Sequence, residues 1–142
     1  MKNKMIKETK VKLEKYGRMK DLVIVRKKDL EVQLQILSTS DDELTKKRIE
    51  KSIEELKVEI QKLEKDILSI EKGLNHLDDI SLKIVQMKYM RKETWVAVSI
   101  SVGYGQTRCK ELGRNAVIII GEFLNGIMMH QDLPLVSGAT YY

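Results

Sequence analysis

The sequence predicts an all-α protein: a long antiparallel helical hairpin of coiled-coil type, followed by a small helix-turn-helix domain. Three observations carry this expectation. Aromatic residues make up 5% of the chain and charged residues 33%, a composition suited to long solvated helices rather than a sheet core. The single proline is Pro134, so nothing before it breaks a helix by the loss of a backbone donor. From Ile49 to Leu77, apolar residues recur at alternating steps of four and three, an unbroken heptad seam.

Residues 3–37 read as a first helix, with Ile6, Leu13, Tyr16, Met19, Val23, Leu30, Leu34 and Leu37 near helical spacing. Leu22 to Val25 is a short apolar block that a strand could also use, but the flanking Lys and Glu favour the helix. Residues 38–42 form a short loop. Ser40 followed by Glu43 has the form of a capping box, with Asp41 and Asp42 in the first turn of the next helix. In that helix Ile53, Ile60, Ile67 and Leu74 form one core series, and Ile49, Leu56, Leu63, Ile70 and Leu77 the other. Such a stripe is stable only when laid against a second helix. Two matched helices, each about 50 Å long at 1.5 Å per residue, joined by a short loop imply an antiparallel hairpin over residues 1–76. The same seam can pair between two chains, so a homodimer through the coiled coil is the alternative arrangement. Gly73, Asn75 and the Asp78-Asp79 pair mark the end of the second helix.

Beyond residue 77 the elements shorten. Leu77 to Met90 reads as one helix that buries Ile80, Ile84, Met87 and Val85. Thr94 to Val102 reads as a second, Gly103-Tyr104-Gly105 as a turn, and Gln106 to Leu124 as a third. Residues 77–124 thus form a helix-turn-helix domain. Residues 125–142 read as a tail, loosely ordered or docked on the rest of the chain or on a partner.

Charge is unevenly spread. Residues 1–28 hold eleven Lys/Arg against three Asp/Glu, residues 29–80 eight against fourteen, and residues 81–142 seven against four. A basic surface attracts phosphate polyanions, although a lysine-rich helix can also be a merely solvated face or touch a membrane surface. Cys109 is the only cysteine, which excludes an internal disulfide and suits a reducing cytoplasm. No signal-like apolar run occurs in the first 30 residues, and the run Ala116 to Ile120 is far shorter than a membrane span, so no membrane partner is expected. Cys109 with His76 and His130 lacks metal-ligand spacing. Gly103-x-Gly105 is not followed by the Lys-Ser/Thr of a phosphate loop, and the paired acids look like caps rather than a dyad. Neither an enzyme nor a cofactor is expected.

The functional expectation lies in residues 94–114. A helix-turn-helix needs a short first helix, a turn with a permissive backbone, and a second helix whose early face is polar. Thr94 caps a helix carrying Trp95, Val98 and Val102, with a small Ser99 at the crossing. Gly103 supplies a positive φ, and Tyr104 is expected to pack inward. Cys109, Leu112, Ala116, Val117 and Ile120 then form a buried stripe. Gln106, Thr107, Lys110 and Glu111 are left to reach base edges, while Arg108, Arg114, Arg91 and Lys92, beside Thr94, sit near phosphates. The partner so predicted is double-stranded DNA.

The run Leu77-Asp78, Ile84 to Tyr89 and Thr94 to Tyr104 resembles the sigma-70 region 4-like domain of phage transcriptional regulators of the RinA/ArpU type. The shared features are a Lys-Tyr pair ending one helix, a Thr-Trp starting the next, and a Gly-Tyr turn. The resemblance covers residues 77–124 with specificity and 1–76 only in general character. It implies DNA binding, control of late phage genes, and contact with RNA polymerase. Gly105 replaces the usual Ser or Thr cap, Gly113 lies inside the recognition helix, and Val96-Ala97 replaces an acidic pair. Two further readings stand beside this one. A DNA-packaging adaptor similar to a phage small terminase subunit would assemble as a ring, and a coiled-coil interaction module would bind a protein partner and show no DNA sequence preference.

Overall fold

The structure is a computed structural model that describes residues 2–127. It contains helices α1 (Lys2–Thr39), α2 (Glu43–Asn75), α3 (Asp79–Val85), α4 (Trp95–Val102) and α5 (Gln106–Leu124), with a π-helical turn over Gln86–Met90. No strand occurs among the described residues, so the all-α expectation holds. Most of the tail expected at 125–142 lies outside the described residues. None of the described helices is long and apolar enough to cross a membrane.

The chain forms two compact units. One is Gly17–Ile67; the other runs up to Tyr16 and resumes at Leu68.

In the 17–67 unit, α1 and α2 run antiparallel. Met19, Val23, Ile49, Ile53 and Ile60 are buried. Arg26 donates to Glu59 across the pair at 2.6 Å, and Lys27 lies 2.9 Å from Glu64. These ion pairs are largely exposed, and such pairs contribute about 0–1 kcal/mol, so the apolar seam holds the helices together. Two local expectations are corrected here. Leu34 is 45% exposed, because the seam passes through Arg26, Leu30, Gln33 and Leu37 instead. The cap of α2 is Asp42 rather than Ser40. Its carboxylate accepts from the Thr45 N–H at 3.1 Å and from the Thr45 hydroxyl at 2.5 Å, bonds that hold it below the usual carboxylate range.

In the other unit α3, α4 and α5 pack together, and the first turns of α1 and the last of α2 meet α5. Leu13, Ile70, Ile84, Val85, Val98, Val117 and Ile120 are all but fully buried. Small residues let the backbones approach. A Cβ on Gly73 of α2 would lie 2.9 Å from the Ile120 Cα, and one on Gly121 would lie 2.8 Å from the Thr9 Oγ1 of α1. The Tyr16 hydroxyl donates to Glu71 at 2.5 Å; burial and this bond push its pKa up to about 12.

The helix expected over 77–90 is shorter and divided. Asp78 caps α3 by accepting from the Ser81 N–H at 2.7 Å, so regular helix starts at Asp79. After Val85 the hydrogen bonding widens to the π pattern, with the Arg91 N–H donating to the Gln86 carbonyl at 3.0 Å. Ile84, Val85 and Met87 are buried as expected, and Ile80 packs half-buried against the core.

Candidate nucleic-acid interface

The site is built on the crossing of α4 and α5. Thr94 adopts an extended conformation and its hydroxyl oxygen accepts from the Ala97 N–H at 3.1 Å, which starts α4. Val98 turns inward and meets Ile84, Met87 and Cys109, with Ile80, Trp95, Val102 and Leu112 closing around them. Gly103 ends the helix at φ 81°, a conformation costly for any residue with a Cβ. Ser99 then fastens the turn, its hydroxyl donating to the Tyr104 carbonyl at 2.5 Å, and the same carbonyl lies 3.7 Å from the Cys109 sulfur. Tyr104 therefore stabilises the turn through its backbone. Its side chain is 39% exposed, which corrects the expectation that it packs inward.

Gly105 starts α5 without a side-chain cap. Cys109, Ala116, Val117 and Ile120 are buried and Leu112 is half-buried, so one face of α5 is committed to the core. Gly113 is buried with them. A Cβ there would stand 3.2 Å from the Trp95 ring, 3.2 Å from the Tyr89 hydroxyl and 3.3 Å from Ile84. Gly113 is thus what lets α5 lie close against these three side chains.

Gln106, Thr107, Arg108, Lys110, Glu111 and Arg114 are all exposed. Gln106, Thr107, Lys110 and Arg114 fall at i, i+1, i+4 and i+8, on one side of the helix. Arg108 departs from that group: it forms an ion pair with Glu111 and lines a cavity of about 440 Å³ with Asp78, Asp79, Ile80, Tyr104 and Leu112. Two carboxylates on that cavity disfavour a polyanion there, so the Lys110–Arg114 side is the electrostatically acceptable approach. Asn115, also exposed, continues the Thr107–Glu111 row at the same spacing of four. The predicted row stops at Arg114 and so omits it; the periodicity itself is the signal that finds it.

The segment before α4 is more constrained than its sequence suggests. Arg91 lies 3.7 Å from Glu93, and Lys92 is held 2.6 Å from Glu14 of α1. Lys92 has φ 59°, the only positive φ of a non-glycine residue among those described. Arg91, Lys92 and Thr94 are all exposed. Two further lysines lie beside them. Lys88 sits 5.2 Å above the Trp95 ring, and Lys10 sits 5.4 Å above the Tyr89 ring. The two rings meet edge to face at 6.1 Å. Burial raises the Tyr89 pKa, so the hydroxyl near Gly113 stays neutral.

The arrangement offers donors and acceptors on one helix face, with cations at its flank, and no carboxylate or cysteine cluster of metal-binding form among the described residues. No protein-family model, curated protein or solved structure matches this chain.

Proposed function

We propose that the chain is a sequence-specific DNA-binding transcription regulator whose α5 enters the major groove. The observation that carries this reading is the exposed polar row Gln106–Thr107–Lys110–Arg114 on a helix whose adjoining face is locked into the core. Lys110, Gln106, Thr107 and Glu111 are the candidates for base edges, and Asn115 joins them. Arg114, Arg91 and Lys92 are the candidates for phosphates, with Thr94 at the N-terminus of α4. By the resemblance described above, the genes controlled are late genes of a phage, in the cytoplasm of a bacterial host, and RNA polymerase is a second partner. Val96 and Ile100 support a protein contact of this kind: they lie on one side of α4 and are 53% and 78% exposed, an apolar patch that the domain's own core leaves uncovered. A homodimer joined through the coiled coil fits the same role, because two copies would read two half-sites.

The test begins with selection of a binding site from random duplex DNA, followed by titration of Lys110→Ala/Arg114→Ala. Removing a base-reading side chain costs about 1–3 kcal/mol and relaxes the preference at that position. Unchanged affinity and preference in the double variant would remove α5 from the interface.

A further inference from the structure

We propose that the N-terminal turns of α1 are part of the DNA-binding surface: Lys7 and Lys10, together with Lys88 and Arg91, grip backbone phosphates beside the groove that α5 enters. This rests on the DNA-binding reading above and extends it to a helix outside the helix-turn-helix.

The first support is the distribution of charge. Residues 1–16 and 68–142 hold fourteen Lys/Arg and nine Asp/Glu, whereas residues 17–67 hold twelve of each. The whole formal charge of +5 therefore belongs to the unit that carries α4 and α5. A net charge that served only solubility would have no reason to be confined to one unit. Residues 1–16 contribute six lysines against two glutamates.

The second support is placement. Lys7, Lys10 and Glu14 follow at steps of three and four, so they share one flank of α1. That flank is fixed at two points, Lys10 over the Tyr89 ring of the π-helical turn and Glu14 on Lys92 of the loop before α4. Tyr89 in turn reaches α5 at Gly113. Lys7 and Lys10 are exposed, as is Arg91, and Lys88 is half-buried above Trp95. In a helix-turn-helix the first helix crosses the nucleic-acid backbone, and Lys88, Arg91 and Lys92 lie in the segment that leads into α4. The cation–π contacts orient Lys10 and Lys88 before any ligand arrives, so less side-chain freedom is lost on binding.

DNA is favoured over a lipid surface as the partner. A helix lying on a membrane needs an apolar face directed at the acyl chains. In this stretch of α1, Ile6 and Leu13 are buried in the protein. Glu14 gives the surface a sign-reversing element, because it neutralises Lys92 at 2.6 Å.

The experiment measures fluorescence anisotropy of a labelled mixed-sequence duplex with the full chain, at salt from about 50 to 200 mM. Lys7→Gln/Lys10→Gln should weaken every duplex alike and lower the slope of log affinity against log salt by about 1.8, at about 0.9 for each phosphate no longer neutralised. Lys47→Gln/Lys51→Gln removes the same charge from the 17–67 unit and should leave the slope unchanged. Glu14→Gln should shift affinity the opposite way, toward tighter binding. If Lys7→Gln/Lys10→Gln behaves like the Lys47/Lys51 control while Lys110→Ala/Arg114→Ala abolishes sequence preference, α1 is outside the interface and the helix-turn-helix reading stands. If Lys110→Ala/Arg114→Ala also binds as wild type, the underlying reading has failed as well. Loss of binding to phosphatidylserine vesicles by Lys7→Gln/Lys10→Gln, with its DNA slope intact, would overturn the proposal in favour of a membrane surface.

Discussion

The same substitution, glycine to alanine, should have unequal effects in the two long helices. Gly17 and Gly73 both lie inside regular helix, Gly17 in α1 and Gly73 in α2. Alanine is favoured over glycine in a helix interior by about 1 kcal/mol, because the glycine chain loses more freedom on folding. At Gly17 a Cβ meets nothing within 4 Å, so the full gain should appear. At Gly73 the added carbon would lie 2.9 Å from the Ile120 Cα, 3.0 Å from its Cγ1 and 3.2 Å from its Cβ. Ile120 is fully buried, and its backbone cannot swing away as a long side chain can. Overpacking of this kind costs about 1–3 kcal/mol. The propensity gain is common to both sites and cancels in the comparison, so Gly17→Ala should exceed Gly73→Ala in stability by about 1–3 kcal/mol. Urea unfolding followed by far-UV circular dichroism gives both midpoints, and Trp95 fluorescence follows the unit that contains Gly73. Equal stabilisation by the two variants would refute the close approach of α2 and α5.

Other outcomes follow from the caps and the turn. Gly103→Ala places a Cβ at φ 81° and should lower stability by about 1–2 kcal/mol, read as a drop in Tm; an unchanged Tm would show that the turn is not left-handed. Tyr16 has its pKa raised from 10.0 to about 12, so its contribution is complete below about pH 10 and is lost as pH rises through 12. Tyr16→Phe should flatten that alkaline loss, and an equally steep loss in the variant would count against the Glu71 bond. Asp78 is held below 3.8, chiefly by the Ser81 N–H, so its cap contributes above that value and fades as pH falls through the lower folded one. In Asp78→Ala the acid dependence of melting should shrink; if it does not, other carboxylates govern acid unfolding.

Much of this architecture is written in spacing. The seam of α2 is apolar at nearly every core position, so its phase can be read directly. α1 is harder to read because polar groups occupy its seam: Thr9 is buried, Arg26 reaches Glu59, and Gln33 lies where spacing favours Leu34. Hydrophobicity alone cannot tell that an arginine is held by a partner carboxylate on a distant part of the chain. The α4–turn–α5 unit is legible because Thr94 and Gly103 are strong local signals, each with one structural use. Tyr104 is misleading because its stabilising group is a carbonyl, which every residue carries. Gly113 and Gly73 look like weak points in their helices, and only the opposing side chains show what they accommodate. That residues 1–16 meet α5 and the π-helical turn depends on contacts between distant parts of the chain, for which no local pattern exists.

The wide turn at Gln86–Met90 bears on how distant sequences should be aligned with this one. A π turn has the length of an α turn with one residue inserted. A sequence lacking one position here can still connect α3 to the Arg91–Glu93 loop through an ordinary turn, and every buried side chain before Gln86 would stay in phase. One residue deleted from α3, α4 or α5 would instead rotate the rest of that helix by about 100° and carry its core face into solvent. A single-residue gap in an alignment is therefore structurally cheap between Gln86 and Met90, and a gap placed inside the flanking helices should be moved there first.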